Sequence, residues 1–102
     1  MTDLKQLALD TAPDLVVVIE PFVYGTREDL KAFTEEILLD RLEAQLLPDG
    51  PEKEALIEQL NDQLKVLVET HRLRVETAMW ALLKRTIQAV VTAVVKGLKA
   101  AI

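Results

Sequence analysis

The sequence predicts an all-α fold: an antiparallel helical hairpin with a very long C-terminal helix plus one or two short N-terminal helices. Three observations predict it. The chain is half hydrophobic but only 4% aromatic, so its core is aliphatic. Apolar residues recur at helical spacing over most of its length. The clearest punctuation, Pro48-Asp49-Gly50-Pro51, separates two long periodic stretches. With 102 residues the chain suffices for one domain and a modest core.

Each element has its own signals. Residues 2–10 form a short helix capped by Thr2 or Asp3. Thr11, Pro13 and Asp14 make a second start signal. Val16-Val17-Val18-Ile19 is β-branched and strand-like in composition. Phe22-Val23-Tyr24 is the one other strand-like run, and Pro21 stands between the two. An isolated strand is not viable, so the region up to Glu20 reads as a short helix or a buried extended arm; an intersubunit strand over 15–19 is the alternative. Residues 1–25 are thus an N-terminal arm of short helices. Thr26-Arg27-Glu28-Asp29 resembles a capping box and opens a helix over 27–47, with Leu30, Phe33, Ile37, Leu38, Leu42 and Leu46 as its apolar content. From Pro51 to Ala100 the chain holds no further proline and one glycine, Gly97. The reading is a single helix over 51–100, roughly 70 Å long at 1.5 Å per residue.

The short connection makes helices 27–47 and 51–100 antiparallel. The hairpin core is Leu30, Phe33, Ile37 and Leu42 against Leu60, Leu64, Leu67 and His71. The first helix covers its partner only to about residue 73. Near that point the apolar stripe changes sides. Glu58, Asp62, Lys65, Glu69, Arg72 and Glu76 continue in register as Trp80, Leu83, Ile87, Val91, Val94 and Leu98. The opposite stripe runs Ile57, Leu60, Leu64, Leu67, His71, Val75, Ala78, Leu82, and then becomes Arg85, Ala89, Thr92, Lys96 and Lys99.

The second apolar stripe needs a cover, because its burial is worth on the order of 10 kcal/mol. The N-terminal segment, another copy of the protein and a membrane surface are the three candidates. The expectation is that the N-terminal segment covers part of the stripe and subunit association covers the rest, with another subunit ranked first and Trp80, Leu83, Ile87, Val91, Val94 and Leu98 taken as an interaction interface. Residues 80–102 are also amphipathic and basic, which makes a membrane surface the runner-up.

Charge is uneven. Residues 1–70 carry 16 acids and 6 bases, whereas residues 71–102 carry 1 acid and 6 bases. Such polarity favours association between unlike ends, and cations also suit helix C-termini. There is no cysteine, so thiolate chemistry and disulfides are excluded. The first residues lack a secretory signal pattern, and the charge-free stretch Thr86–Val95 is too short to span a bilayer; both point to the cytoplasm or to a particle assembled there.

No motif carries chemistry. His71 is the only histidine and lacks partners at metal-binding spacing, so it reads as a packed residue. Glu36, Asp40 and Glu43 share a helical face but lack the Glu-x-x-His pairs of carboxylate metal bundles. Gly-rich phosphate loops and nucleophile elbows are missing. The acidic balance, with a pI near 4.8, disfavours nucleic acid. The small residues Ala89, Ala93, Gly97, Ala100 and Ala101 permit close helix approach.

The expectation is a non-enzymatic structural subunit without cofactor, metal or small-molecule substrate. It would associate with itself or with other protein subunits through the amphipathic C-terminal helix, as in a phage or other large particle. A peripheral membrane protein using 80–102 and a small regulator of a partner protein are the competing classes.

Overall fold

In the computed structural model, which describes residues 3–101, the protein is all-α, with four helices and one very small sheet. Helix α1 spans Leu4–Ile19. A single 3-10 turn, Glu20–Phe22, leads into strand β1, Val23–Tyr24. Helix α2 spans Arg27–Gln45 and helix α3 spans Pro51–Thr70. Strand β2 is Arg74–Val75, and a 3-10 turn at Thr77–Met79 runs into helix α4, Trp80–Ala101. The strands pair antiparallel, with Val23 opposite Val75 and Tyr24 opposite Arg74.

α1 is one helix rather than two short ones. The Asp3 carboxylate accepts from the backbone N–H groups of Lys5 and Gln6 at 3.0 and 3.4 Å, making Asp3 the cap; Thr2 lies outside the described residues. The start signal at Thr11–Pro13 is overridden. Ala8, Ala12, Leu15, Val16 and Ile19 are all buried along one side, on both flanks of Pro13, so packing holds the helix through the proline. Val16–Ile19 are therefore helical, neither an extended arm nor an intersubunit strand.

α2 begins as its sequence indicates: the Thr26 hydroxyl oxygen accepts from the Asp29 N–H at 3.1 Å. It is the central element. α1 runs antiparallel along it, so that Lys5, Ala8 and Leu9 lie beside Glu36 and Leu39, and Pro13, Val16 and Val17 lie beside Arg27 and Lys31. α3 packs chiefly on α2, and α4 lies against both α1 and α2.

The 51–100 stretch is two helices, which corrects the single 50-residue helix. That helix, at roughly 70 Å, would be far longer than the longest dimension of the protein, 37 Å. α3 ends in a Schellman arrangement: the Leu73 N–H donates to the Val68 carbonyl at 2.8 Å, and the Arg72 N–H donates to the Glu69 carbonyl at 3.0 Å. Arg72 occupies the left-handed position, φ 59°, where glycine is usual. Leu73 and Val68 are both buried beneath it. At Gly25 an added Cβ would lie 2.3 Å from a Leu73 methyl carbon, so the connection after β1 is glycine because the second connection crosses it there. The β1–β2 ladder then fastens the α1–α2 connection to the α3–α4 connection.

Candidate assembly surface

The stripe that changes sides has a simple origin. α3 and α4 each carry one apolar side, and the reversal between them, residues 71–79, turns both sides inward. Leu83, Ile87 and Val91 are fully buried, Val95 nearly so, and all four belong to one cluster with Leu15, Ile19, Leu38 and Leu42. Trp80 and Val94 are half-buried against that cluster, and Leu98 is half-buried near the end of α4. This corrects the order of covers for the six interface residues. The chain's own α1 and α2 take up the stripe, and Leu83, Ile87 and Val91 have no surface left to offer a partner.

The hairpin residues come together as the sequence indicates. Leu30, Phe33, Ile37, Leu42 and Leu64 are buried, while Leu60, Leu67 and His71 are half-buried along the α2–α3 seam. His71 stands edge-on to Phe33, with ring centroids 5.9 Å apart, and its Nε2 meets the Glu36 carboxylate at 2.5 Å. It is a packed, paired histidine. Among the described residues no group of His, Asp or Glu is arranged to hold a metal ion.

The seam also holds a buried charge without hydrogen-bond partners. Arg41 is 4% exposed, and its Nη1 and Nη2 have no hydrogen-bond partner; the side-chain oxygen of Asn61 on α3 is likewise unpartnered. Burial pulls the Arg41 guanidinium below its ordinary pKa, against the opposing pull of Asp40. Asp40 itself is raised, first by burial and then by Glu36 and Glu43.

The outward side of α4 presents Leu82, Arg85, Ala89, Thr92, Ala93 and Lys96, all exposed. This side carries no acid among the described residues of the helix. At its centre a shallow depression of 480 Å³ is lined by Arg85, Gln88, Ala89, Thr92 and Ala93, and its floor is almost wholly apolar. Leu82 at its edge is 43% exposed. An added Cβ at Gly97 would touch nothing within 4 Å, so no neighbour within the chain requires a glycine there. These positions belong to the stripe opposite the one singled out from sequence. The signal that marks them is that the larger apolar stripe of a helix in a small protein goes to that protein's own core.

The helical stretch Thr77–Ala100 is long and apolar enough to cross a membrane, by length and composition only. The sequence reading counts only the shorter charge-free run Thr86–Val95. The core helix of a small protein meets the same criterion, and this one places Leu83, Ile87, Val91 and Val95 in the core. Comparison with protein-family models, with curated proteins and with solved structures finds no match to this chain.

Proposed function

We infer that the protein is a non-enzymatic assembly subunit that associates with copies of itself through the outward side of α4, as a component of a phage or other large particle. The observation that carries this reading is the outward side itself. After the core has taken the large apolar residues of α4, a flat, acid-free surface remains, with Leu82 exposed beside an apolar depression. Small side chains at Ala89 and Ala93 let another helix approach closely, and close approach maximises dispersion contacts. The four-helix fold needs none of these residues for its own core, so they are free to serve a partner.

The test is native mass by light scattering, with and without Leu82→Glu and Ala93→Glu. Both positions are exposed, so the variant keeps its helices. The expected result is an oligomer for the unaltered chain and a smaller species for the variant. A mass unchanged by the substitutions would sink the reading. A second reading, peripheral contact with an anionic membrane, draws on the composition of Thr77–Ala100 and on Arg85, Lys96 and Lys99. Co-flotation with anionic vesicles is its test, and failure to float removes it.

A further inference from the structure

Resting on that reading, we propose that the occupant of the α4 surface is the outward side of α3 from a second copy, so that the subunits join head to tail. α3 is the least buried helix of the fold; only Lys53, Leu64 and Val68 are buried along its 20 residues. Its outward side presents Gln59, Asp62, Val66 and Glu69, all exposed, and Val66 at 60% exposure is one of the two most exposed large apolar side chains among the described residues. Lys65 lies three residues after Asp62 and four before Glu69, within helical ion-pair reach of both, so the α3 surface is acidic in balance rather than purely acidic.

The two surfaces are opposites in charge and in relief. On α3 one apolar knob, Val66, is flanked by acids four residues before it and three after, about 5–6 Å along the axis. On α4 one apolar depression is flanked by Arg85 and Lys96, each about 8 Å from its centre. Long basic side chains span the difference, so seating Val66 among Ala89, Thr92 and Ala93 brings each acid within reach of a base. The same opposition appears over the whole chain, whose first 70 residues are acidic and whose remainder is basic. Within the chain Asp62 lines a pocket with Lys65 and Lys84, whereas Arg85 and Lys96 make no salt bridge among the described residues, and a second copy offers those two bases acidic partners. Because the two surfaces differ, the contact is heterologous, and it propagates into a ring or a filament rather than stopping at a symmetric dimer.

Two charge-reversed proteins test this. One carries Arg85→Glu and Lys96→Glu, the other Asp62→Lys and Glu69→Lys; all four sites are exposed, and circular dichroism checks that the helices persist. Each alone should run at monomer mass, requiring at least about tenfold higher concentration to associate than the unaltered chain. An equimolar mixture should recover the oligomer, since every contact in it again pairs unlike charges. The recovered oligomer should weaken with salt, as exposed charges are screened over about 10 Å at 0.1 M ionic strength. If Asp62→Lys with Glu69→Lys leaves the mass unchanged while Leu82→Glu with Ala93→Glu lowers it, α4 assembles on some surface other than α3, and this proposal falls while the assembly reading stands. A mixture that stays monomeric also overturns it. An unaltered chain that is monomeric at every concentration overturns both, and flotation with anionic vesicles that is lost in Arg85→Glu with Lys96→Glu would then assign the surface to lipid.

Discussion

At the scale of single residues, the α2–α3 seam is governed by Arg41. Its guanidinium is taken out of water and given no partner, an arrangement that costs more than it returns. Arg41→Met keeps the length of the side chain and removes the charge. It should stabilise the fold by about 1–4 kcal/mol in urea unfolding, with the slope unchanged. Asp40 gives a pH signature of known sign. Burial first, then Glu36 and Glu43, raise its carboxyl above the ordinary value of 3.8. The folded state therefore binds that proton more tightly than the unfolded chain does. The penalty is present at neutral pH and is relieved as pH falls through the raised value towards 3.8. Asp40→Asn should raise the melting temperature at neutral pH and shrink its advantage over the unaltered protein as the solution is acidified. An advantage that grows with acidity would contradict the assignment. Neither effect was legible in the sequence. Asp40 reads there as part of an acidic helical face shared with Glu36 and Glu43, and nothing in the pattern singles out Arg41. Their cost depends on Leu60 and Leu64 arriving from α3.

At the scale of elements, the decisive event is the end of α3. His71-Arg72-Leu73 contains neither proline nor glycine, and Glu69 to Glu76 continue a helical pattern of charges. Local propensity favours continuation; burial of Leu73 beneath Val68, with β2 pairing to β1, decides against it. The left-handed Arg72 bears the strain. Arg72→Val should destabilise by about 1–2 kcal/mol, because a β-branched residue tolerates φ 59° poorly. Arg72→Gly should be neutral or better, since it relieves strain while loosening the unfolded chain. If both substitutions destabilise equally, the strain does not reside at that φ. Sequence pattern located the place where the apolar stripe changes sides, close to residues 71–79, but not what happens there. A single helix with two apolar directions and two helices with one each produce the same periodicity. Contacts between residues far apart in the chain, such as the pairing of Val23–Tyr24 with Arg74–Val75, separate them. The same logic explains why α1 survives Pro13: residues on both sides of the proline share one buried side.

At the scale of the whole molecule, the helical class, the α2–α3 hairpin, the Thr26 cap and most of the hairpin core were legible, because they follow from local periodicity and turn chemistry. The destination of the second stripe was not. Trp80, Leu83, Ile87 and Val91 require a cover, and the pattern cannot distinguish a cover within the chain from one outside it. Once the 51–100 stretch folds back on itself, α1 and α2 together supply that cover. Glutamate at Leu83 or Val91 would accordingly break the core and report on folding, whereas substitutions at Leu82 and Ala93 report on association.

The two-residue ladder has a consequence for how the chain is tethered. Residues 4–45 and 51–101 are each a helix, a connection and a helix. They are joined covalently through 46–50 at the C-terminal end of α2 and by hydrogen bonds between β1 and β2 at its N-terminal end. The covalent link is exposed at Leu47, Pro48 and Asp49, and only Leu46 of it packs against the core. A cut there leaves the ladder, the Gly25–Leu73 crossing and the shared core to hold the pieces in register. The chain is thus two complementary fragments in tandem, each supplying the surface that the other lacks.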